Sequence, residues 1–337
     1  MTKAIELMEV IKPIPDPPKG LREAALRGTL IPFVGAGASR IAGCPNWSEF
    51  ADGALRFFVA QGKFSHGQLA QISHLNPRVK LSIALGLQNE HKTPIDFKKV
   101  LYPTERKDNA KGRRLYENLS KLGKTFVTTN YDEWLDTAIG APTPSARPES
   151  NPATSAIEEP RTVIYDVNEL TPDNLRRPNT VIHLHGSVRK PESMILTTQH
   201  YVRHYANDRF RRGAETENNV LTFLDFLFTQ KNILFVGYGL DELEILEYVI
   251  GKARLNGEPG HREMRHFLLQ GFFSHEHELA RSLIPYYREC GIELIPFLRD
   301  HLDWDQLIDV LEEFARLAPV GLPLKVQTLM EMEALLE

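Results

Sequence analysis

Short apolar runs alternate with helical patterns along most of the chain, and this alternation is the main structural signal in the sequence. The runs end at Gly, Gln, Pro or a polar residue, which is typical of buried parallel strands. They lie at residues 29–34, 124–130, 180–186, 232–239, 266–271 and 292–297. Helical segments at residues 219–228, 241–253 and 275–290 separate most of the later runs. The pattern predicts an α/β fold with a Rossmann-like, doubly wound parallel sheet.

Changes in the pattern mark segments that lie outside this sheet. Residues 1–19 contain prolines at positions 13, 15, 17 and 18 and are expected to form an N-terminal arm. Residues 45–122 are mostly helical and predict a helical small domain inserted between the first two strands. Residues 140–156 are rich in Pro, Ser and Thr and predict a surface loop within one domain, which then spans residues 20–317.

The tail at residues 318–337 can form a helix with one apolar face, made of Leu329, Met330, Met332, Leu335 and Leu336. Such a face suits docking to a partner, and it equally suits capping of the chain's own core.

Composition places the chain among ordinary globular proteins, with 42% hydrophobic and 25% charged residues. No apolar stretch approaches the roughly 20 residues of a membrane span, and no secretory signal is visible, so cytoplasmic location is the expectation. The net charge of -4 gives no general attraction to nucleic acid, although basic clusters occur at residues 111–114 and 203–212. Cys44 and Cys290 are the only two cysteines, which excludes a disulfide framework and a four-thiolate zinc site.

The first predicted strand runs into a glycine-rich turn, VGAGAS, at residues 34–39. Small residues there let backbone N–H groups approach a pyrophosphate, and the following helix N-terminus adds partial positive charge. The usual dinucleotide fingerprint would have a third glycine where Arg40 stands, and glycine turns also serve tight packing alone. Phosphate binding and packing therefore both remain open for Gly35, Ala36, Gly37 and Ser39.

The second strand ends in TTNYD at residues 128–132, where a nucleotide ribose would lie in a doubly wound fold. The alternative is that Thr129, Asn130 or Asp132 caps a helix beginning near Glu133. VGYGLDE at residues 236–242 provides another glycine-flanked strand exit, for which an ordinary strand-to-helix turn is the alternative.

HLHGS at residues 183–187 places two histidines at a third strand exit. His185 lies at the end of the strand beside a glycine, where it can act as a base or bind a ribose hydroxyl. His183 lies further down the strand and is interpreted as a core histidine with satisfied hydrogen bonds.

Taken together, these strand exits resemble the motifs of the sirtuin family, named for the silent information regulators. GAGASRIAGCPNW is similar to the family's GAG-x-S followed by G-I-P-D-F, with Asn46, Trp47 and Ser48 in place of its aspartate, phenylalanine and arginine. TTNYD resembles T-Q-N-x-D, HLHGS resembles H-G-S, and VGYGL takes the place of G-T-S-L, with Gly239 for serine. The resemblance runs from about residue 29 to about residue 300.

The resemblance implies that NAD⁺ is the substrate and that no metal is required. It assigns catalysis to Asn130, His185 and Asp132. It assigns NAD⁺ binding to Gly35, Ala36, Gly37, Ser39, Asn46, Trp47, Thr129, Gly237, Tyr238 and Gly239.

The missing cysteines separate the chain from protein-deacylating sirtuins, which hold a structural zinc on four cysteines. Zinc-free sirtuin-like domains with a VGY-G strand exit resemble bacterial antiphage effectors that hydrolyse NAD⁺. The resemblance therefore implies an NAD⁺ hydrolase that works as a homo-oligomer or with a partner such as a hexameric DNA-translocase ATPase or a short Argonaute. Direct nucleic-acid binding and membrane binding are not expected.

Two other functions are compatible with the same residues. An NAD-dependent protein deacylase or ADP-ribosyltransferase would use Asn130 and His185 but admit a peptide or protein nucleophile. A non-catalytic sensor of NAD⁺ or ADP-ribose would need the glycines and ribose contacts but no base, and the retained Asn130 and His185 argue against it.

Overall fold

A computed structural model describes residues 11–103, 109–139, 158–205, 218–238 and 266–321. Its centre is a seven-stranded sheet in which all neighbouring strands are parallel. In chain order the strands are β1 (Leu30–Val34), β2 (Thr125–Thr128), β5 (Thr162–Ile164), β6 (Thr180–His183), β7 (Asn232–Val236), β8 (His266–Phe272) and β9 (Ile292–Leu298). Two further strands, β3 (Thr137–Ile139) and β4 (Glu158–Pro160), form a separate antiparallel pair. The predicted α/β class with a doubly wound parallel sheet is confirmed.

The order of strands across the sheet is β5-β6-β2-β1-β7-β8-β9. From β1 the chain adds β2, then the edge strand β5, and then β6 between β5 and β2, before it returns to the other side of β1 to form β7. The order therefore reverses between β1 and β7, and doubly wound folds bind ligands at the carboxyl ends of the strands at such a reversal. Every residue of β1, β2 and β6 is buried, which explains why these strands are continuous apolar runs rather than alternating ones.

Helices cover both faces of the sheet and form two buried clusters of apolar side chains. The helices are α1 (Lys19–Leu26), α2 (Ala36–Ile41), α3 (Trp47–Ala60), α4 (His66–Gln71), α5 (Pro77–His91), α6 (Phe97–Leu101), α7 (Ala110–Leu122), α8 (Thr198–His204), α9 (Asn219–Gln230), α10 (His277–Glu289) and α11 (Gln306–Leu317). In the described residues between β1 and β2 the regular elements are all helices, as the pattern predicts. Within the described ranges, no helix has the length and apolar character needed to cross a membrane.

One sequence expectation differs from the structure, one short strand was not expected, and several segments lie outside the described residues. No helix begins near Glu133, because Asp132 accepts a hydrogen bond from the N–H of Trp134 and forms a local turn instead. The short edge strand β5 was not predicted from the pattern. The loop at residues 140–156, the segment at 241–253 and the tail from residue 322 onward lie outside the described residues, as do residues 1–10 of the arm.

The basic cluster at residues 111–114 faces acidic residues in α11 and directly before it. Lys111 pairs with Asp305, while the guanidinium of Arg114 contacts Asp309 at 3.0 Å and also Glu312. These contacts give the cluster a role in joining α7 to α11. The second cluster lies outside the described residues from position 206 onward.

Candidate active site

The polar motifs predicted from the sequence follow four consecutive strands, β6, β2, β1 and β7, at one edge of the sheet. Val34 is level with Thr128 on one side and with Val236 on the other, and Thr128 is level with His183. Parallel strands in this register deliver their next residues to the same edge. The structure therefore brings the four motifs together.

The exits of β1 and β7 are packed directly on each other through glycines. The N–H of Gly37 donates to the carbonyl of Gly237 at 2.8 Å, and the N–H of Gly35 donates to Val236 at 2.9 Å. A β-carbon at Gly37 would lie 2.8 Å from the Gly237 oxygen, and one at Gly237, where φ is +65°, would lie 2.3 Å from the Ala38 nitrogen. Tight packing of the two turns therefore requires these glycines.

Phosphate binding by this turn stays a prediction. Gly35 is the N-cap of α2, and Ala36 is its first residue. Because the N–H of Gly37 is bonded to Gly237, it is not available to a phosphate in this conformation. A larger side chain at Gly37 would disturb the packing of the two turns, so weaker ligand binding by such a variant would not identify Gly37 as a phosphate-binding residue.

Asn130 is buried and held by its side-chain amide. Its Nδ2 donates to the carbonyl of Gly35 at 2.9 Å and to Oγ of Ser39 at 2.6 Å. A carbonyl oxygen can only accept, so the Gly35 contact fixes which end of the amide is nitrogen. Both amide hydrogens are used within the protein, and the chemistry left to this side chain is acceptance through Oδ1.

Asp132 lies behind Asn130 and supports it through Ser39. The Ser39 hydroxyl donates to Oδ2 of Asp132, and the N–H of Trp134 donates to Oδ1 at 3.0 Å. Burial raises the pKa of Asp132, although these hydrogen bonds and the charge of His183 oppose that rise. Only 3% of Asp132 is exposed, so its contribution to a ligand would be indirect.

Two threonines hold the backbone of this loop. Oγ1 of Thr128 donates to the carbonyl of Val34 at 2.8 Å and accepts from the N–H of Asn130 at 3.0 Å. The N–H of Thr129 also donates to Val34, at 3.4 Å. Sequence reasoning selected Thr129 and missed the positioning role of Thr128.

His183 is fully enclosed and uses both ring nitrogens. Nδ1 lies 2.9 Å from the carbonyl oxygen of Asn130, and Nε2 lies 2.9 Å from Oδ1 of Asp136. Its interpretation as a core histidine with satisfied hydrogen bonds is confirmed.

His185 lies in an aromatic environment of a different kind. Its Nε2 is 2.7 Å from the hydroxyl of Tyr205, and its Nδ1 is 3.4 Å from the hydroxyl of Tyr201. The ring of His204 packs edge-on at a centroid distance of 6.0 Å. Burial lowers the pKa of His185 well below its usual value, and the nearby His204 and Arg78 add to this effect. His185 is therefore neutral at pH 7.

The side chains around His185 come from α8 and the residue after it. Tyr201, His204 and Tyr205 are spaced i, i+3 and i+4, so they share one helical face. This spacing could have predicted that the three side chains lie together. It could not have predicted that they surround His185.

Asn46 and Trp47 lie at the start of α3. The side chain of Asn46 accepts from the N–H of Glu49 at 2.9 Å, and the Glu49 carboxylate accepts from the N–H of Asn46 at 2.8 Å. This capping box accounts for Asn46 locally. The ring of Trp47 packs edge-on against Tyr131, with centroids 5.7 Å apart. Tyr131 is next in sequence to Asn130.

Two predicted binding residues follow β7. The ring of Tyr238 packs in the core against Phe33 and Phe235, each with its centroid 5.4 Å away. Gly239 lies outside the described residues. Roles in NAD⁺ binding for Asn46, Trp47, Tyr238 and Gly239 stay predictions.

The structure also contains an open cavity of about 600 Å³ on the side of the helical insertion. Its walls include Cys44, Glu49, Arg56 and Lys99. It adjoins the connection between α2 and α3 rather than the strand exits. In the part of the chain that the structure describes, no three His, Cys, Asp or Glu side chains are grouped to hold a metal ion.

A family model described as SIR2-like domain matches residues 124–295, just over half of the chain. The match includes Asn130, Asp132, His185 and Gly237, but not the glycine turn after β1 or the start of α3. A search of curated proteins gave no significant match.

Proposed function

The chain belongs to the SIR2-like domain family, and we propose that it hydrolyses NAD⁺ to ADP-ribose and nicotinamide. Domains of this family are NAD⁺-dependent enzymes generally. The observation that carries the proposal is the pairing of a fixed amide, Asn130, with a neutral histidine, His185, at the exits of the neighbouring strands β2 and β6.

The chemistry makes limited demands on the protein. The bond between C1′ of the ribose and the nicotinamide nitrogen breaks, and its electron pair neutralises the cationic ring. Because the leaving group departs neutral, it needs no general acid. C1′ develops oxocarbenium character, water forms the new bond to it, and the proton of that water is lost to solvent or to a base. Holding the ribose and the water in position is the main task of the site.

The two side chains suit this task through hydrogen bonding. Both amide hydrogens of Asn130 are engaged within the protein, which fixes the orientation of the amide. Its Oδ1 can accept a hydrogen bond from a ribose hydroxyl or from the attacking water. His185 is neutral and can pair with the 2′- or 3′-hydroxyl. Its lowered pKa makes it a weak base, which favours hydrogen bonding over complete proton transfer. Asp132 acts through Ser39 by keeping the Asn130 amide in place.

Water as the acceptor, rather than a protein lysine, is supported by the departure from zinc-bearing relatives. The chain has two cysteines, so it cannot build their four-cysteine zinc module. We further propose that the protein acts in the cytoplasm as an effector of bacterial antiphage defence that depletes NAD⁺. Since an unrestrained NAD⁺ hydrolase would harm its host, activity would depend on a homo-oligomer or on a partner such as a DNA-translocase ATPase or a short Argonaute.

The test is incubation of the purified full-length chain with NAD⁺ alone, over a range of protein concentrations and with candidate partners, followed by separation of the products. We expect ADP-ribose and nicotinamide in equal amounts, with specific activity rising on assembly. Product release that requires an acyl-lysine peptide or a protein acceptor would indicate a deacylase or a transferase. NAD⁺ binding by calorimetry without turnover under any condition would indicate a sensor.

Variants locate the activity. His185→Ala is expected to lower kcat by about 10²–10³-fold, the range typical for loss of one preorganised hydrogen-bonding group. His66→Ala is the matched control, because His66 is exposed at the start of α4. Asn130→Ala should also abolish turnover, with Asn89→Ala, on the exposed side of α5, as its control. Unchanged turnover in the His185 and Asn130 variants would refute the site.

A further inference from the structure

The hydrogen-bond partners of His183 determine how many protons its ring carries. Nδ1 meets the carbonyl oxygen of Asn130, which can only accept, and Nε2 meets the carboxylate of Asp136. A neutral imidazole has one N–H and can satisfy one of these oxygens. At the other nitrogen, two lone pairs would then face each other at 2.9 Å.

A neutral ring beside an ionised carboxylate is therefore one proton short. Both contacts are satisfied when one further proton is added to the pair of His183 and Asp136. The guanidinium of Arg189 lies 3.2 Å from Oδ2 of Asp136, the carboxylate oxygen that His183 does not contact. This positive charge stabilises the carboxylate, so the extra proton resides on the ring. His183 is then an imidazolium with no exposed side-chain surface.

The charges around the ring are consistent with this assignment. Burial alone would lower the pKa of His183, but the hydrogen bond and charge of Asp136 outweigh it, and the Asn130 carbonyl and the charge of Asp132 add to that effect. The pKa of His183 is therefore raised. Beyond Asp136, Arg189 is also paired with Glu133 at 3.0 Å.

His183 touches both ends of the loop that carries Asn130 and Asp132. Its Nδ1 contacts the backbone of Asn130, near the start of that loop, and its Nε2 contacts Asp136, which lies just before β3. His183 itself belongs to β6, the strand that leads to His185. One side chain thus connects the two halves of the proposed active site.

We propose that His183 is a positioning residue, an imidazolium that fastens the loop carrying Asn130 to strand β6 by donating from both ring nitrogens. The inference rests on the proposed function for its effect on turnover. Loss of the proton removes one of the two bonds and releases one end of the loop. Displacement of Asn130 then lowers kcat, whereas the rest of the NAD⁺ contacts are retained.

The charge state can be measured without any assay of turnover. The full-length protein is labelled with ¹⁵N-histidine, and the ring nitrogens are observed by long-range ¹H–¹⁵N correlation at pH 7. The His183 signals are assigned by their absence in His183→Asn. We expect both nitrogens of His183 to be protonated and His185 to show the neutral pattern. A neutral ring at position 183 would overturn the proposal, whether or not the chain cleaves NAD⁺.

The positioning role is tested by kinetics. His183→Asn keeps one N–H near the Asn130 carbonyl but cannot bridge to Asp136. We expect kcat for NAD⁺ to fall on the order of 10²-fold, the penalty typical of a misplaced group, with little change in KM. In the wild type, kcat should decline as the pH rises through the pKa of His183, and this limb should be absent in the variant.

His266→Asn is the matched control, because His266 is buried in strand β8, away from the exits. An equal loss of kcat in the control, or a wild-type pH profile in His183→Asn, would show that His183 is only structural. If no condition gives NAD⁺ cleavage, the proposed function fails, while the ¹⁵N measurement still decides the charge of His183.

Discussion

Strand β6 leads to two histidines, two residues apart and both buried, whose surroundings favour opposite charge states. His183 lies between two acceptors, a carbonyl and a carboxylate, and its pKa is raised. His185 lies between two tyrosine hydroxyls near a second histidine, and its pKa is lowered. Burial is common to both, so the difference comes from the partners. The comparison teaches that a motif such as HLHG does not by itself specify the chemistry of its histidines.

The two environments also differ in how firmly they hold their residues. The His183 side contains ionic contacts and short hydrogen bonds that connect Asn130, Ser39, Asp132 and Asp136. The His185 side is a set of aromatic rings from α8 and the residue after it, with hydroxyl contacts to the imidazole. We therefore expect the first side to be sensitive to any change of charge and the second to tolerate loss of a polar group.

The largest effect is expected from Asp136→Ala. The change leaves Arg189 and a protonated His183 without the buried carboxylate that they share, and breaking such a pair costs about 3–5 kcal/mol. The free energy of unfolding, measured with urea at pH 7, should fall by that amount. The control is Asp173→Ala, whose ion pair with Arg176 is exposed and should contribute about 0–1 kcal/mol. Equal losses in both variants would contradict a charged His183 side.

The second prediction concerns acid stability on the His185 side. Burial lowers the pKa of His204 to about 4, so the unfolded chain binds a proton more readily than the folded one below the ordinary histidine pKa near 6.5. Stability should fall as the pH drops from about 6.5 towards about 4, by up to about 3 kcal/mol from this residue. Above about pH 6.5, protonation of His204 no longer lowers the stability.

The measurement is urea unfolding of wild type and His204→Gln at several pH values. The free energy of unfolding of the wild type, relative to that of the variant, should decrease as the pH falls, because the variant has no group to protonate at this position. His183 contributes with the opposite sign, since its raised pKa gives stability that is complete below the unfolded pKa and is lost as the pH rises through the folded one. A constant difference between wild type and variant from pH 4 to 7 would contradict the neutral environment.

The sequence predicted the strand exits well, for a physical reason. A parallel strand covered on both faces must be apolar along its length, so its polar end marks the edge of the sheet. The exits after Val34, Thr128, His183 and Val236 were therefore visible as breaks in four apolar runs. Their adjacency follows from the order of these strands in the sheet, β6-β2-β1-β7, which the apolar pattern did not specify.

Other features could not be predicted because tertiary contacts decide them. A turn closed by the Asp132 side chain and a helix N-cap use the same local hydrogen bond, so the sequence did not distinguish them at Glu133. Strand β5 has three residues, too few for a periodic signal. The contact between His185 and Tyr205 joins positions 20 residues apart, and only the docking of α8 creates it.

The smallest effect is expected from Tyr205→Phe, which removes the hydroxyl that contacts Nε2 of His185 at 2.7 Å and keeps the aromatic ring. The loss of one neutral hydrogen bond should lower the free energy of unfolding by about 0.5–1.5 kcal/mol.

Under the proposed function, a ribose hydroxyl must replace that tyrosine hydroxyl on His185. Removing the competitor should therefore lower KM for NAD⁺ by a similar free energy, about 2–10-fold, at unchanged kcat. Tyr286→Phe is the control, because Tyr286 is 46% exposed on α10. A fall in kcat with constant KM would mean instead that Tyr205 orients His185 in the transition state, and the His185 side would then be as firmly built as the side that holds Asn130.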